Sequence, residues 1–320
     1  MKKISIIIPM YNVAQYLEKC ISSVYDQGLN EDCFEVIIIN DESPDNSLEI
    51  ATKLTINKKN VKIISQKNKG LGGARNTGIE NTTGDYILFL DSDDFYLPNS
   101  LSSIINQVNV HEVDILEFGA QGIDINNKIV FSLSISSNGK IYNGVNYYQK
   151  IRYSDTACNK MYRRDFLNKN KLRFLEKIYI EDYEFNTRVL VEAEKVIAIP
   201  VIVSQFLQSP NSITRNTNND KKEKMKTDIF NVIKKIATLK NEVGKDKEGF
   251  LNERLSFLTA TLFYQLVKNK CSYNEFLKLK LKLIEEGIFF VNYPIHDKKK
   301  NLFRIVFLKN FFLFKIMSKN

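Results

Sequence analysis

The chain has 320 residues, of which 43% are hydrophobic, so it is long enough for one large α/β domain and a smaller appendage. Its net charge of +9 favours anionic partners such as phosphates, nucleic acid or acidic lipid. Four cysteines without a CxxC pair and only two histidines argue against a zinc site or a disulfide framework, and they predict free thiols in a reducing compartment. The apolar run after Met1-Lys2-Lys3 is too short for a signal peptide or a membrane span.

The first hundred residues alternate strand-like and helix-like segments. Short apolar runs predict strands at 4–8, 36–39, 61–64 and 86–90. Apolar residues at helical spacing predict helices around 17–24, 47–56 and 73–81. Strands separated by helices of this length are typical of a parallel sheet, so the turns that follow the strands fall on one edge. The polar turns on this edge are Tyr11-Asn12, Asp41-Glu42-Ser43 and Asp91-Ser92-Asp93-Asp94.

Beyond residue 112 the pattern becomes mixed. Strand-like segments at 115–118, 129–133 and 201–206 surround a helix-like segment at 182–193, and we expect this part to complete the site of the first hundred residues. Residues 220–290 are rich in Lys, Leu and Glu with apolar residues at helical spacing, which predicts helices. With the boundary in the polar stretch 211–220, we expect a domain at 1–212, a helical accessory region at 213–296 and a basic amphipathic tail at 297–320.

The tail carries seven Lys or Arg against one acidic residue, interleaved with bulky apolar residues. Lys309 and Lys315 interrupt the apolar run, which argues against a transmembrane helix. Basic residues beside bulky apolar ones suit a segment that lies in the interface of an anionic membrane. A terminal helix packed on the core would give the same pattern, and the sequence leaves both interpretations open.

Three carboxylates follow the predicted strand 86–90 in the sequence Asp91-Ser92-Asp93-Asp94. Ligands of open α/β sheets bind outside the carboxyl ends of the strands, so acidic residues there predict a site for a divalent cation and a phosphorylated ligand. An Asp-rich turn, favoured by local hydrogen bonding, is the alternative.

Tyr11 and Asp41 follow two neighbouring predicted strands, where a ring and a hydrogen-bond acceptor could hold a nucleotide base such as uracil. A loop aromatic and a helix N-cap would explain the same two residues. Arg75 lies among four glycines at 70–78, which permit a close approach to a ligand, and it could hold a phosphate or fix Asp91. This stretch lacks the residue order of a P-loop.

Glu181-Asp182 precedes the helix-like segment of the second half. A carboxylate there could act as a general base, although acidic residues in the first turn of a helix are also favoured by the helix dipole.

Taken in order, five segments resemble the inverting nucleotide-sugar glycosyltransferases of family 2, which have the GT-A fold. They are Ile4 to Asn12, Ile39 to Ser47, Asn68 to Gly78, Asp91-Ser92-Asp93-Asp94 and Glu181-Asp182. The resemblance covers roughly residues 1–210 and implies an α/β fold with a mixed, mainly parallel sheet, followed here by a C-terminal helical region. Glu42 stands where the family commonly has glycine.

The resemblance also implies a role for individual residues. Asp182 would be the catalytic base with Glu181 in support, Asp93 would bind Mg²⁺ or Mn²⁺, and Asp94 has no firm assignment. The basic residues of 158–164 would meet the acceptor or the pyrophosphate. The residues implied to bind the nucleotide sugar are Pro9, Tyr11, Asp41, Arg75, Asp91 and Ser92.

These features together predict a metal-dependent transferase that moves a hexosyl or N-acetylhexosaminyl group from a nucleotide sugar, most simply a UDP-sugar, to a hydroxyl of a growing glycan. We expect a role in bacterial surface polysaccharide synthesis, with a free or lipid-linked glycan acceptor. The expected location is cytoplasmic and peripheral, on an anionic inner membrane face. Nucleic acid is not an expected partner, because three carboxylates at one sheet edge would repel its phosphates.

Two other classes of protein share some of these features. A haloacid dehalogenase-type phosphatase also places Asp-x-Asp after an apolar strand, but that motif wants Thr or Val where this chain has Phe95. An inactive GT-A scaffold or a basic binding module would explain the net charge, and loss or retention of sugar-nucleotide hydrolysis would separate it from an enzyme.

Overall fold

A computed structural model describes residues 3–151, 153–208 and 218–317. The chain divides into two compact units, Met1–Asn216 and Thr217–Asn320. The boundary predicted at residues 212 and 213 lies outside the described residues, so the division into domains at that point stays a prediction.

The first unit alternates strands and helices. Its strands are β1 (Ile4–Met10), β2 (Phe34–Asn40), β3 (Val61–Ser65), β4 (Tyr86–Phe89), β5 (Phe95–Tyr96), β6 (Ile115–Ile123), β7 (Ile129–Leu133), β8 (Lys160–Arg163) and β9 (Val196–Leu207). Its α-helices are α1 (Leu17–Tyr25), α2 (Ser47–Thr55), α3 (Gly70–Glu80), α4 (Leu101–Val110), α5 (Gly144–Lys150), α6 (Arg164–Lys169) and α7 (Glu181–Glu192).

All nine strands join one mixed sheet in the order β3-β2-β1-β4-β8-β6-β9-β5, with β7 paired to β6. The strands β1 to β4 run parallel to one another, as the alternation of strands and helices predicted. The strand β8 lies antiparallel between β4 and β6 and so joins the two halves of the sheet. The predicted α/β fold with a mixed sheet is therefore confirmed.

The core lies on both faces of the first strands. Every residue of β1 is buried, which explains its unbroken apolar sequence. On one face α3 packs closely on β1, because a Cβ atom at Gly78 would lie 2.3 Å from Cγ2 of Ile7. A Cβ at Gly72 would lie 2.2 Å from the carbonyl oxygen of Leu175. These two glycines thus serve helix packing, and the glycine-rich stretch 70–78 is a helix rather than a ligand-binding loop.

The second unit is helical, as predicted from its composition. Its helices are α8 (Asn219–Glu242), α9 (Lys245–Lys268), α10 (Tyr273–Glu285), α11 (Lys298–Phe303) and α12 (Leu313–Met317), with a π-helical turn at Arg304–Leu308. Phe314 is buried and stacks on Phe276 with ring centroids 4.4 Å apart. The tail is therefore packed on the helical core along one side. Among the described residues, no helix combines the length and apolar character needed to cross a bilayer.

Candidate active site

Three strands of the sheet end together at one edge. Because Met10 pairs with Asn40 and Ile7 with Phe89, the residues that follow β1, β2 and β4 emerge side by side. Tyr11, Asp41 and Asp91 are these residues, so the structure brings the predicted polar turns to a common edge. This edge is the carboxyl end of parallel strands, where open α/β sheets bind their ligands.

Arg75 connects this edge to the start of α7. Its guanidinium is fully buried and lies 2.8 Å from Asp91, 2.6 Å from Asp182 and 3.1 Å from Glu181. The aromatic rings of Phe174 and Phe89 lie 5.2 Å and 5.9 Å from the guanidinium carbon. A planar guanidinium has five N–H donors in a fixed geometry, so it can serve several carboxylates at once. The cluster therefore joins acidic residues that lie about ninety positions apart in the chain.

Burial shapes the charge state of this cluster. Burial raises the pKa of Asp182, and Arg75 only partly offsets that effect. Burial and the neighbouring Asp182 raise the pKa of Glu181. Burial alone would lower the pKa of Arg75, but Asp182 and Asp91 raise it well above its ordinary value, so the guanidinium stays charged. The pKa values of both α7 carboxyls are thus raised above those of exposed carboxyls, a property common in catalytic acids and bases.

A loop that the sequence did not single out holds the second oxygen of Asp182. The backbone N–H of Ala157 donates a hydrogen bond of 3.0 Å to Asp182 Oδ2. The ammonium of Lys160 anchors this loop by donating to the carbonyl oxygens of Ser154 and Thr156, and it pairs with buried Glu117 at 3.2 Å. Backbone contacts of this kind carry no sequence signal, so only the structure reveals them.

The basic residues of 158–164 each have a partner within the fold. Lys160 is buried in its pair with Glu117, Arg163 pairs with Asp114, and Arg164 donates a hydrogen bond to the carbonyl oxygen of Gly84. Arg163 pairs with Tyr86 at the amino end of β4, the opposite end from Asp91, and the contact of these cations with the acceptor or the pyrophosphate stays a prediction.

The acidic pair of α7 begins directly after a strained residue. Ile180 has φ +61° and ψ 25°, in the left-handed region that β-branched residues rarely adopt. Such strain costs on the order of 1–3 kcal/mol and is found mostly at functional sites. Here the conformation ends the preceding loop and starts the helix at Glu181, which points both carboxylates at Arg75.

Asp93 differs from Asp91 in its surroundings. Burial and the negative charge of Asp91 raise the pKa of Asp93 to about 6, and its carboxylate is not among the partners of Arg75. A divalent cation would offset this unfavourable charge, and carboxylate oxygen is a hard ligand that Mg²⁺ and Mn²⁺ accept. Within the described residues, no group of three or more His, Cys, Asp or Glu could hold a metal ion. Asp93 by itself therefore offers one carboxylate ligand of the kind that these cations accept.

Ser92 and Asp94, on either side of Asp93, are buried. The backbone N–H of Leu207 in β9 donates a hydrogen bond of 2.8 Å to Asp94, so this residue ties the acidic turn to the far side of the sheet. Its contact with β9 makes Asp94 a structural residue.

Asp41 lies apart from the Arg75 cluster. One of its carboxylate oxygens accepts hydrogen bonds from Gln66 Nε2 at 2.7 Å and from the backbone N–H of Lys69 at 2.9 Å. It is not a helix N-cap, because Asn46 occupies the cap position of α2. Glu42, next in the chain, has φ +63°, so the turn keeps the backbone shape that favours glycine. Glu42 therefore occupies a backbone conformation that glycine adopts without strain.

Tyr11 is 51% exposed at the same edge, while Pro9 is buried within β1. The exposed ring of Tyr11 offers a flat surface, and the buried carboxylate of Asp41 offers a hydrogen-bond acceptor. The binding of a nucleotide base by these two residues stays a prediction.

Comparison with known proteins agrees with this geometry. The chain is 30% identical over 217 residues to "Uncharacterized glycosyltransferase EpsJ" of Bacillus subtilis, a match that covers 66% of this chain but only 62% of EpsJ. It is 28% identical over 256 residues to the poly(ribitol-phosphate) beta-N-acetylglucosaminyltransferase TarP of Staphylococcus aureus, covering 76% of this chain and 75% of TarP.

Among solved structures, S. aureus TarS 1–349 in complex with UDP-GlcNAc superposes with a TM-score of 0.68 at 20% identity, covering 99% of this chain and 90% of that one. This likeness confirms the GT-A fold. The model of the family described as "Glycosyl transferase family 2" matches residues 5–170, which hold β1 to β8 and Arg75. The chain is therefore a member of glycosyl transferase family 2.

Proposed function

We propose that this protein transfers a sugar, with inversion, from a UDP-sugar to a hydroxyl of a growing glycan in bacterial surface polysaccharide synthesis. The observation that carries the proposal is the buried Arg75, which joins Asp91 after β4 to Glu181 and Asp182 at the start of α7. A donor-side carboxylate and a candidate base are thereby held in one rigid arrangement. The names of TarP and TarS support a hexosamine donor and a polymeric acceptor.

In this proposal the donor nucleotide lies across the ends of β1 and β2. Tyr11 stacks on the base, Asp41 accepts from the imide N–H of uracil, and Pro9 fixes the strand that presents Tyr11. Asp91 and Ser92 contact the ribose or the sugar. Arg75 is committed to three carboxylates, so its role is to orient Asp91 and Asp182 rather than to bind phosphate directly.

Asp93 is the proposed ligand of Mg²⁺ or Mn²⁺. A bound cation would stabilise the negative charge that grows on the diphosphate as the glycosidic bond breaks. The chain's own part is to hold the Asp93 carboxylate at the sheet edge, where a cation would offset the cost of its buried charge. The tie from Asp94 to Leu207 keeps this turn in position.

Asp182 is the proposed general base. As the acceptor oxygen bonds to the anomeric carbon and the bond to the leaving diphosphate breaks, the acceptor hydroxyl gives its proton to Asp182. Arg75 and the N–H of Ala157 each hold one carboxylate oxygen, which fixes the direction of the remaining lone pairs. Glu181 shares Arg75 and so helps to set the charge of the pair.

The acceptor is proposed to be a glycan or a lipid-linked glycan, reached from the cytoplasmic side by a protein that lies peripherally on the inner membrane face. The exposed lysines of the second unit support an anionic surface as its partner.

A screen of nucleotide sugars for hydrolysis and transfer, with and without Mn²⁺, tests the enzymatic proposal. We expect turnover with one class of UDP-sugar, lost on addition of a chelator. Donor binding without turnover of any nucleotide sugar would instead support an inactive scaffold. Release of phosphate from simple phosphomonoesters, lost in Asp91→Asn, would support the haloacid dehalogenase alternative.

A further inference from the structure

The tail of the second unit has two different sides. Along its inner side, Arg304, Leu308, Phe311 and Phe314 are buried at intervals of three or four residues. Phe314 stacks on Phe276, and Arg304 donates a hydrogen bond of 2.7 Å to the carbonyl oxygen of Val291. The inner side therefore accounts for the packed terminal helix that the sequence left open.

The other side exposes large apolar residues that core packing does not explain. Their exposed fractions are 62% for Leu302, 44% for Ile305, 62% for Phe312 and 63% for Ile316. With exposed Lys309 they recur every three or four residues, out of phase with the buried set. We call these five residues the outer stripe. Several large exposed apolar residues within one short segment favour an interaction site.

The cations of the tail also divide between the two sides. Arg304 is buried, and Lys300 lies 4.6 Å from the ring of Tyr264, where burial lowers its pKa to about 8. Lys298, Lys299, Lys309 and Lys315 are exposed. Within the part of the chain that the structure describes, none of these four forms an ion pair with an acidic side chain. The exposed side is thus both apolar and basic.

We propose that the outer stripe binds the surface of an anionic lipid bilayer, with its apolar side chains at the acyl boundary and the four lysines among the headgroups. Each lysine near such a surface contributes on the order of 1 kcal/mol, and the apolar residues add burial that an isolated charge patch lacks. A second copy of the chain fits less well, because a symmetric contact through this side would gather eight lysines in one interface. This proposal names the surface that the peripheral protein of the proposed function would bind. It rests on the proposed function only for the location at the inner membrane face.

The absence of tryptophan from the chain allows a clean probe. Phe312→Trp places one fluorophore in the outer stripe, and Ile125→Trp places one at a similarly exposed position of the first unit, 68% exposed in the wild type. With vesicles of phosphatidylcholine and phosphatidylglycerol at low salt, we expect a blue shift of the fluorescence for the Phe312→Trp variant only. A shift in neither variant, or in Ile125→Trp alone, would overturn the proposal.

Charge and apolar variants of the full chain separate the two parts of the interaction. We expect replacement of Lys298, Lys299, Lys309 and Lys315 by Gln to lower vesicle partitioning by about two to three orders of magnitude, given on the order of 1 kcal/mol per lysine. The triple substitution Leu302→Ser, Phe312→Ser, Ile316→Ser should also abolish sedimentation with vesicles. The matched control replaces four exposed lysines of the first unit, Lys53, Lys59, Lys140 and Lys169, by Gln, and should bind as the wild type does.

Each variant is also assayed for hydrolysis of a soluble UDP-sugar and for its mass by light scattering. A tail variant that no longer binds vesicles but hydrolyses the UDP-sugar at the wild-type rate supports the proposed membrane contact, whatever the acceptor is. Vesicle binding that survives both sets of substitutions overturns it, as does a wild-type dimer that only the serine variant dissociates. If no protein hydrolysed the UDP-sugar, but vesicle binding were lost only in the tail variants, the proposed function would be rejected. The membrane contact of the outer stripe would still stand.

Discussion

The side chain of Arg75 is fully buried and pairs with three carboxylates. Removing it would therefore leave buried negative charges without a cation beside them. We predict that Arg75→Met lowers the free energy of unfolding by about 3–5 kcal/mol, the usual cost of breaking a buried ion pair. This loss of stability should shrink as the pH falls, because Glu181 and Asp182, whose pKa values are raised by burial, can then take up protons. Urea unfolding at several pH values measures this.

Lys58→Met provides the control for that substitution. Lys58 pairs with Glu31 where both side chains are about a third exposed, so its loss should cost less than about 1 kcal/mol. If Arg75→Met lowered the free energy of unfolding by as little as Lys58→Met does, Arg75 would not have the stabilising role given to it here.

The raised pKa of Asp182 has a consequence for the pH dependence of transfer. A base must be ionised to accept a proton, so activity is lost as the pH falls through the pKa of that base. Because burial raises the pKa of Asp182, we predict an acid limb of kcat with its midpoint clearly above the ~3.9 of an exposed Asp. Rates measured across the pH range, with circular dichroism to confirm folding, check this. A midpoint near 4 would show that Asp182 is not the group that titrates.

At the scale of elements, the contact between α3 and β1 fixes where Arg75 lies. A Cβ at Gly78 would approach Cγ2 of Ile7 to 2.3 Å, and Ile7 is fully buried. We predict that Gly78→Ala lowers the free energy of unfolding by about 1–3 kcal/mol through overpacking. Gly249→Ala in α9 meets nothing within 4 Å and should instead stabilise by up to about 1 kcal/mol through helix propensity. Unfolding midpoints that move in the same direction for Gly78→Ala and Gly249→Ala would contradict this prediction.

Elements with a strong apolar period could be predicted from the sequence, and short ones could not. The predicted strand 36–39 and helix 47–56 correspond closely to β2 and α2. The two-residue β5 and the four-residue β8 were missed, because neither is long enough to show a period and β8 mixes charged and apolar residues. Yet β8 joins the two halves of the sheet, a long-range pairing that local pattern does not encode.

At the scale of the whole molecule, every residue assigned to donor binding lies in the first unit. We predict that UDP with Mn²⁺ increases the hydrogen-exchange protection of peptides covering Tyr11, Asp41, Arg75 and Asp93, and leaves α8, α9 and α10 unchanged. Binding of a ligand to the native state alone raises local protection by its binding free energy. Mass spectrometry of exchanged peptides measures this. Protection confined to the helices of the second unit would place the nucleotide elsewhere.

The candidate site could be predicted from the sequence only in part. Asp91 and Asp182 were available as motif residues, and the contact of Arg75 with Asp91 was one of two options, but the contact of Arg75 with Asp182 was not predicted. The contact of Ala157 with Asp182 is made by a backbone N–H, which any residue could supply. The ion pair of Lys160 with Glu117 depends on burial in the tertiary structure. Neither contact has a sequence signature. The tail likewise needed the structure to separate its buried side from its exposed side.

The central claim, that the Arg75 cluster holds the catalytic base, is tested most directly by Asp182→Asn. Asn keeps the shape and an acceptor for the N–H of Ala157 but cannot take a proton. We predict unchanged affinity for UDP and Mn²⁺ by calorimetry and a fall in transfer of roughly 10²-fold or more, the scale that general-base catalysis supplies. Asp41→Asn, measured in parallel, should weaken nucleotide affinity instead. Transfer at the wild-type rate by folded Asp182→Asn would contradict the claim and make Glu181 the next candidate.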